Sequence, residues 1–258
     1  MAIVNLTDDS FSGDGLRGGT QAAITQALRM IDAGADILDI GGESSRPGAA
    51  SVSLQEELDR VVPVIEGLRD CGRPLSVDTT KPDVMAAALA AGADMINDIA
   101  ALTAPGALAV AAAGEAAVCL MHMQGEPGTM QAAPAYSDVV VEVREFLNQR
   151  VAACTAAGIA RDRIVIDPGF GFGKTLEHNL ALLQALPGLA DGGLPVLIGV
   201  SRKSMIGTIT GRPLDQRDGG SAVAAVLAVQ RGARIVRVHD VGATRDALAV
   251  LAAIDGSA

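Results

Sequence analysis

The feature that most constrains the fold of this chain is an alternation, repeated eight times, between a short apolar run and an amphipathic stretch. The first amphipathic stretch has apolar residues at helical spacing from Ala22 to Ile31, and it ends at Gly34, as a helix C-terminus does. The eight apolar runs are 2–6, 36–40, 74–77, 94–97, 117–121, 163–166, 195–199 and 234–238. Strands that alternate with helices in this way predict repeated βα units and a parallel sheet.

Eight such units in 258 residues predict a single-domain (β/α)8 TIM barrel over residues 1–258, because these barrels typically need about 250 residues. A doubly wound open sheet is the alternative, since a local pattern does not distinguish an open sheet from a closed one. The barrel carries a second prediction. Active sites of such barrels lie at the C-terminal ends of the strands, so the polar residues found there should meet.

Composition excludes several classes of partner. The net charge is −10, and no run of Lys or Arg is interleaved with aromatic residues, which argues against a nucleic-acid partner. No apolar run reaches the ~18 residues that a membrane span needs. The three cysteines (Cys71, Cys119 and Cys154) are odd in number and lack CxxC spacing, so we expect free thiols and a cytoplasmic location.

Almost every predicted strand ends in a polar side chain. Asp39 is the most informative, because an acid inside a buried strand must be paired or functional: desolvating an isolated carboxylate costs several kcal/mol or more, as an order of magnitude. A single Asp or Asn at a strand end is more often a turn or helix cap, and Asp98 fits that role better than Asn97 does. The other strand ends carry Asn5, Asp78, Met121 with His122, Asp167, Ser201 with Arg202 and Lys203, and Arg237 with His239. Together they predict an active site.

Two features in the sixth unit are assigned no role. Gly171 and Gly173 before Lys174 suggest a nucleotide-binding loop, but a P-loop needs Gly where Pro168 stands, so we reject it. His178 lies on a helical pattern, and we expect it at the surface.

The ordered motifs resemble those of the dihydropteroate synthase family, pterin-binding (β/α)8 enzymes of folate synthesis. The resemblance covers nearly the whole chain and lies in residues 3–7 with 9–12, 39–44 with 46–48, 76–79, 96–98, 121–123, 167–174, 201–204 and 237–239. It implies a transferase in which para-aminobenzoate displaces pyrophosphate from 6-hydroxymethyl-7,8-dihydropterin diphosphate in an SN1-like reaction, with Mg²⁺ as cofactor.

The resemblance also implies roles for individual residues. Asp167 would accept hydrogen bonds from the N2/N3 edge of the pterin, Lys203 would donate to its carbonyl, and Arg237 would stack on its ring. The whole pterin set is Asp78, Asn97, Met121, Asp167, Phe172, Lys203 and Arg237. The pyrophosphate set is Asn5, Arg46, Arg237 and His239, with Asn5 as a metal ligand. The catalytic set is Asp39, Lys203, Arg237 and His239, in which Asp39 stabilises developing positive charge.

The aminobenzoate pocket, which sulfonamides should also occupy, would be formed by Phe11, Ser45, Pro47, Phe172, Ser201 and Lys203. Two of the residues near it depart from the family pattern: Asp8 stands where Pro is usual, and Ser45 stands where Thr is usual. Pro fixes φ and Asp does not, so we expect a less preorganised first loop. The chain also begins on the first strand pattern, so we expect the family's preceding segment to be absent.

These departures keep a second hypothesis open, a pterin-binding paralogue that condenses poorly. A corrinoid methyltransferase that uses methyltetrahydrofolate is disfavoured, because the diphosphate-binding cations would have no purpose in it. A homodimer is possible through the Ala/Val-rich residues 221–229, which are equally compatible with ordinary packing of a helix on the barrel.

Overall fold

Short parallel strands form where the apolar runs lie, and helices follow them. The structure, a computed structural model, describes residues 1–6, 15–44 and 51–256, except for the side chains of residues 15–18. Its strands are β1 (Ala2–Asn5), β2 (Leu38–Gly41), β3 (Leu75–Asp78), β4 (Met95–Asp98), β5 (Ala117–Met121), β6 (Ile164–Asp167), β7 (Leu197–Ile198) and β8 (Ile235–Val236). Its helices are α1 (Gly15–Asp32), α2 (Leu54–Leu68), α3 (Pro82–Ala91), α4 (Ala107–Ala112), α5 (Val139–Ala156), α6 (Leu176–Gln184), α7 (Leu186–Ala190), α8 (Ser204–Thr210), α9 (Asp218–Gln230) and α10 (Val241–Asp255).

The strands close into a barrel. β1 to β6 pair in chain order, β7 pairs with β8, and all of these pairs are parallel. Parallel bridges between Ile166 and Val196 and between Ala2 and Val238 join the two sheets. The backbone N–H of Ile3 donates to Val238 O at 3.0 Å, and that of Val238 donates to Met1 O at 3.0 Å. The (β/α)8 prediction is confirmed, and the doubly wound alternative is wrong.

The last two strands are shorter than predicted. β7 covers two residues of the predicted 195–199 run, and β8 covers two of the 234–238 run. Pro195 has no N–H to donate and contributes only its carbonyl oxygen, which accepts from Ile166 N at 3.0 Å. The two short strands still pair in parallel, Leu197 with Ile235 and Ile198 with Val236.

Alternation of side chains along the strands separates two interiors. Residues that face the helices, such as Leu38, Ile40 and Leu120, are fully buried in the main core. Residues that face the barrel axis near the N-terminal ends form a separate apolar cluster, made of Met1, Met95, Cys119, Val165 and Leu197. Because side chains alternate with period two, the next inward position along each strand lies nearer the C-terminal end. Those positions are largely polar, so the barrel has an apolar floor and a polar mouth.

All three cysteines are free, as predicted. Cys119 lies in the apolar floor, where burial raises the pKa of its thiol well above the ordinary value. Among the described residues, no helix is both long and apolar enough to cross a membrane.

Candidate active site

The mouth of the barrel is built around Arg237, which follows β8 and reaches two acids on other strands. Its Nε donates to Asp39 Oδ2 at 2.5 Å, and its Nη2 donates to Asp78 Oδ2 at 2.6 Å. Asn97 Nδ2 also donates to Asp39 Oδ2, at 3.1 Å. Asp39 is fully buried, and its Oδ1 has no hydrogen-bond partner among the described residues. The acid inside the strand is therefore paired through one oxygen and keeps the other available.

The electrostatics of this cluster follow from one cation between two carboxylates. Burial raises the pKa of Asp78 to about 7, with Arg237 opposing the shift and Asp39 adding to it. Burial lowers the pKa of Arg237, but Asp39 and Asp78 outweigh that effect and leave it raised. The guanidinium thus stays charged, while Asp78 can hold or release a proton near neutral pH.

A second pair of opposite charges comes from the ends of β6 and β7. Asp167 is buried and its Oδ1 accepts from Gly169 N at 2.7 Å. Burial raises the pKa of Asp167, and Lys203 opposes the shift. Lys203 donates to Phe170 O, and its Nζ lies 4.4 Å from the centre of the Phe172 ring. Burial lowers the pKa of Lys203 to about 8, with Asp167 opposing. The mouth therefore offers an acceptor and a donor beside an aromatic face.

Met121 supplies an apolar wall to this half of the mouth. It is buried, and it is the register partner of Asp167 across the β5–β6 pair. In-register residues of parallel strands point the same way, so the thioether lies beside the carboxylate. A flat ring that binds Asp167 would contact Met121.

The closing strands bring Ser201 and His239 together. Ser201 Oγ lies 3.0 Å from His239 Nδ1, and His239 N donates to the same hydroxyl at 3.2 Å. Asn5 ends β1, which neighbours the segment of β8 across the barrel closure. Its half-buried amide has no hydrogen-bond partner in the described part of the chain. On the β8–β1 side of the mouth, an amide, a hydroxyl and an imidazole therefore lie near Arg237.

Arg202, grouped with the strand-end residues in the sequence, turns away from the mouth. It has a positive φ of 57° and makes a two-point ion pair with Asp218 of α9, at 2.6 and 3.0 Å. Its N–H donates to Ser221 Oγ at 2.9 Å, and Arg217 Nη1 donates to its carbonyl at 3.0 Å. Arg202 anchors the loop that presents Lys203.

Two predictions from the sequence about single residues have different outcomes. Asp98 has the predicted turn role: its carboxylate accepts from Ala100 N and Leu102 N, each at 2.7 Å. The surface prediction for His178 is wrong, because the residue is half-buried and forms a reciprocal capping box with Thr175 at the start of α6. The spacing Thr-x-x-His could have signalled that cap, although Glu or Gln is usual at its last position.

Four predicted site residues, Phe11, Ser45, Arg46 and Pro47, lie outside the described residues, and their roles stay predictions. Described residues near the 45–50 segment contact one another. Glu43 Oε1 accepts from Val52 N at 2.9 Å, and Lys81 Nζ binds Glu43 at 2.6 Å and Glu57 at 2.5 Å.

Lys174 was assigned no role from the sequence. It is 3% exposed, and its ammonium lies 3.0 Å from His122 Nδ1 and 2.9 Å from Gly169 O. Burial lowers its pKa to about 7. Its role has no clear sequence signal, since its partners are three backbone carbonyl oxygens, which any residue could offer, and a ring nitrogen from another loop.

The mouth of the closed barrel presents carboxylates, an amide and an ammonium group, which suit a polar heterocycle. The sequence matches a family whose description names such a ligand. The family described as "pterin binding enzyme" matches residues 1–239. The chain belongs to this pterin-binding enzyme family, as the motifs predicted.

Relatives within the family bear a more particular name. The dihydropteroate synthase of Haemophilus influenzae is 52% identical over 253 residues, which are 97% of this chain and 91% of that protein. The dihydropteroate synthase of Escherichia coli K12 is 49% identical over 254 residues, with 98% of this chain and 90% of that protein covered.

Solved structures agree with this match. The Xanthomonas albilineans dihydropteroate synthase with 4-aminobenzoic acid has a TM-score of 0.94 and 54% identity, and the match covers 99% of this chain and 92% of that one. The Yersinia pestis enzyme in a sulfonamide drug complex has a TM-score of 0.94 and 49% identity, with 99% and 94% covered.

Replacing Arg237 with Met should destabilise the chain, because Asp39 and Asp78 would be buried without their cation. We expect the free energy of unfolding to fall by about 3–5 kcal/mol at pH 8. The loss should be smaller at pH 5. Without the cation that lowers its pKa, Asp78 keeps its proton to higher pH in the folded state. The free energy of unfolding of the variant therefore declines as pH rises through 7 and beyond.

Urea unfolding at the two pH values measures this difference. Arg245→Met is the matched control, because Arg245 makes an exposed ion pair with Asp36 at 3.9 Å. It should cost at most about 1 kcal/mol at either pH. An Arg237→Met deficit independent of pH would contradict the account.

Proposed function

We propose that the chain is a dihydropteroate synthase, a transferase that condenses 6-hydroxymethyl-7,8-dihydropterin diphosphate with para-aminobenzoate to 7,8-dihydropteroate and pyrophosphate. The observation that carries the proposal is the meeting of Asp167, Asn97, Asp78 and Lys203 in one barrel mouth. The relatives support it, and a solved Xanthomonas albilineans dihydropteroate synthase that is 51% identical contains 7,8-dihydropteroate.

Recognition of the pterin would rest on Asp167. The pyrimidinone edge of a pterin presents N–H donors side by side, and an ionised carboxylate accepts several hydrogen bonds. Within the described residues, Asp167 accepts one hydrogen bond, from Gly169 N at 2.7 Å, which would leave further acceptor positions for the ring. Lys203 would donate to the pterin carbonyl, and Asn97 and Asp78 would complete the contacts.

The guanidinium of Arg237 would stack on the face of the pterin ring. Its Nε and Nη2 donate to Asp39 and Asp78, and its side chain is 20% exposed. A guanidinium fixed at its edge offers a flat, weakly hydrated surface for stacking. Its Nη1, which has no partner among the described residues, would donate to a diphosphate oxygen.

The diphosphate would be bound by Asn5, Arg46, Arg237 and His239. Mg²⁺ is part of the proposal. In the described part of the chain no three His, Cys, Asp or Glu residues cluster as a metal site, which fits a cation bound mainly by phosphate oxygens and water. The half-buried Asn5 amide oxygen would be its protein ligand. When bound, Mg²⁺ neutralises charge on the diphosphate.

The chemistry would proceed by loss of pyrophosphate before attack. The C–O bond breaks and its electron pair leaves with the pyrophosphate, so positive charge develops on the pterin methylene. Buried Asp39 Oδ1 has no hydrogen-bond partner among the described residues, which supports a role in stabilising that charge, an effect that a water-poor site strengthens. The amine nitrogen of para-aminobenzoate then forms the C–N bond and loses a proton.

The aminobenzoate pocket would combine Phe172, Ser201 and Lys203 with Phe11, Ser45 and Pro47. Lys203 and the Phe172 ring already lie against each other, with 4.4 Å between Nζ and the ring centre. The Ser201 hydroxyl, held by His239, could donate to a carboxylate. No observation favours the poorly condensing paralogue over the synthase.

Pyrophosphate release from the dihydropterin diphosphate, measured with Mg²⁺ and with or without para-aminobenzoate, tests the function. We expect release that depends on aminobenzoate. Asp167→Asn should abolish it together with pterin-induced thermal stabilisation, because an amide presents a donor where the ring needs an acceptor. Asp162→Asn, a change at an exposed acid outside the site, is the control. Retained pterin affinity in Asp167→Asn would mean that the pterin binds elsewhere.

Sulfonamides should compete with para-aminobenzoate, because both would use the pocket of Phe172, Ser201 and Lys203. Steady-state kinetics should show that a sulfonamide raises the KM for aminobenzoate without lowering kcat. A drop in kcat at unchanged KM would place the drug elsewhere. An inhibition constant far above the KM for aminobenzoate would point to Asp8 or Ser45 as having reshaped the pocket.

We also propose a cytoplasmic location, supported by the three free cysteines, and a homodimer. Exposed apolar side chains on successive elements support the dimer, namely Ile209, Leu214, Val223 and Leu227. Val223→Glu should shift the protein to the monomer in sedimentation velocity, because Val223 is 60% exposed within one chain and a charge there is costly only against a partner. An unchanged sedimentation coefficient would place the interface elsewhere or exclude a dimer.

A further inference from the structure

The backbone between β6 and α6 is held by side chains to an unusual extent. Each of the five consecutive carbonyl groups of residues 169–173, here called the 169–173 loop, accepts a hydrogen bond from a side chain. Lys174 donates to Gly169 O at 2.9 Å and to Phe172 O at 3.0 Å, Lys203 donates to Phe170 O, Gln131 donates to Gly171 O, and Tyr136 donates to Gly173 O at 2.9 Å.

Lys174 is the centre of this arrangement. Besides the two loop carbonyls, its Nζ lies 3.2 Å from His122 O and 3.0 Å from His122 Nδ1. The ammonium therefore links the 169–173 loop to the loop after β5. No carboxylate lies within ion-pair distance of it in the part of the chain that the structure describes. A buried cation without an ion-pair partner is costly, and its hydrogen bonds to these acceptors offset part of the lost hydration.

The two linked loops lie so close together that two positions of the 169–173 loop accept only glycine. Gly169 and Gly173 have positive φ values of 69° and 61°. A Cβ atom at Gly169 would overlap His122 O, and one at Gly173 would overlap Gln124 O. Only glycine fits such close backbone contact.

The loop in turn carries the groups that the proposed reaction needs. Phe172 belongs to it, and Lys203 contacts it twice, at Phe170 O and at the Phe172 ring. A movement of the loop would therefore displace both an aromatic wall and a substrate-binding ammonium.

We propose that Lys174 is a positioning residue: its ammonium holds the 169–173 loop in its binding conformation before any substrate arrives, and so fixes Phe172 and Lys203. The effect on catalysis rests on the proposed function. Preorganisation of this kind lowers the ordering cost of binding, and a displacement of about 1 Å in a positioned group can cost about a hundredfold in rate.

Lys174→Met tests the proposal, because it keeps a similar unbranched apolar stem and removes the ammonium. The variant should lose about tenfold to a hundredfold in kcat/KM, with the KM for para-aminobenzoate raised, as is common when a supporting residue is removed. Tyr136→Phe is the control, since it also removes a donor to a loop carbonyl but no charge, and it should lose much less. Rates are expressed per folded molecule. A Lys174→Met protein that is only less heat-stable, with kcat and KM unchanged, would overturn the proposal.

Amide hydrogen exchange on the wild-type chain gives a second test if Lys174→Met does not fold. The amides of Gly169, Gly171 and Phe172 donate to Asp167, Asn179 and Gly169 respectively. They should be protected without ligand and change little when the pterin diphosphate is added. Fast exchange that slows only with ligand would overturn the proposal. This measurement does not depend on turnover, so a wild-type chain that releases no pyrophosphate would refute the proposed function alone.

Discussion

The ion pairs of Arg237 are the interaction on which the mouth of the barrel depends. The arginine comes from the end of the chain, and its acids come from the second and third strands, 198 and 159 residues away in sequence. Neither Asp39 nor Asp78 could be buried as a charged group without it. The pairing therefore needs the barrel to be closed, and once formed it holds the last strand toward the first three.

The net charge of −10 does not prevent the mouth from binding an anion, because some of the cationic side chains near it are not used in structural contacts alone. Arg202 turns to Asp218 and anchors a loop, and Lys174 binds backbone carbonyls. Lys203 and Arg237 remain partly accessible at the mouth. Adjacent residues can differ in this respect. Arg202 and Lys203 are neighbours in sequence, but Arg202 has a positive φ, and the two side chains have different partners.

Much of the fold and the outline of the site follow from the sequence, and the reasons are local. Each strand is short and apolar, each helix repeats its apolar positions, and a barrel brings the strand ends together whatever the detailed packing. The turn role of Asp98 was also predictable, because its partners are two and four residues away. That Asp39 had to be paired was predictable as well, but its partner was not, since only closure of the sheet brings Arg237 to it. The role of Lys174 was not predictable for a related reason: apart from His122 Nδ1, its partners are main-chain oxygens, which every residue has.

In the part of the chain that the structure describes, Asp39 Oδ1 and the hydroxyl of its register neighbour Ser76 are buried without a hydrogen-bond partner. A buried polar atom left without a hydrogen bond costs about 1–3 kcal/mol, which is a substantial share of the net stability of a domain. An apolar side chain at position 76 would avoid that cost, whereas one at position 39 would leave Arg237 with only one of its two carboxylates. Selection of this chain for heat resistance alone would therefore favour a change at Ser76 but retain Asp39, because the Asp39 carboxylate is needed to pair with Arg237.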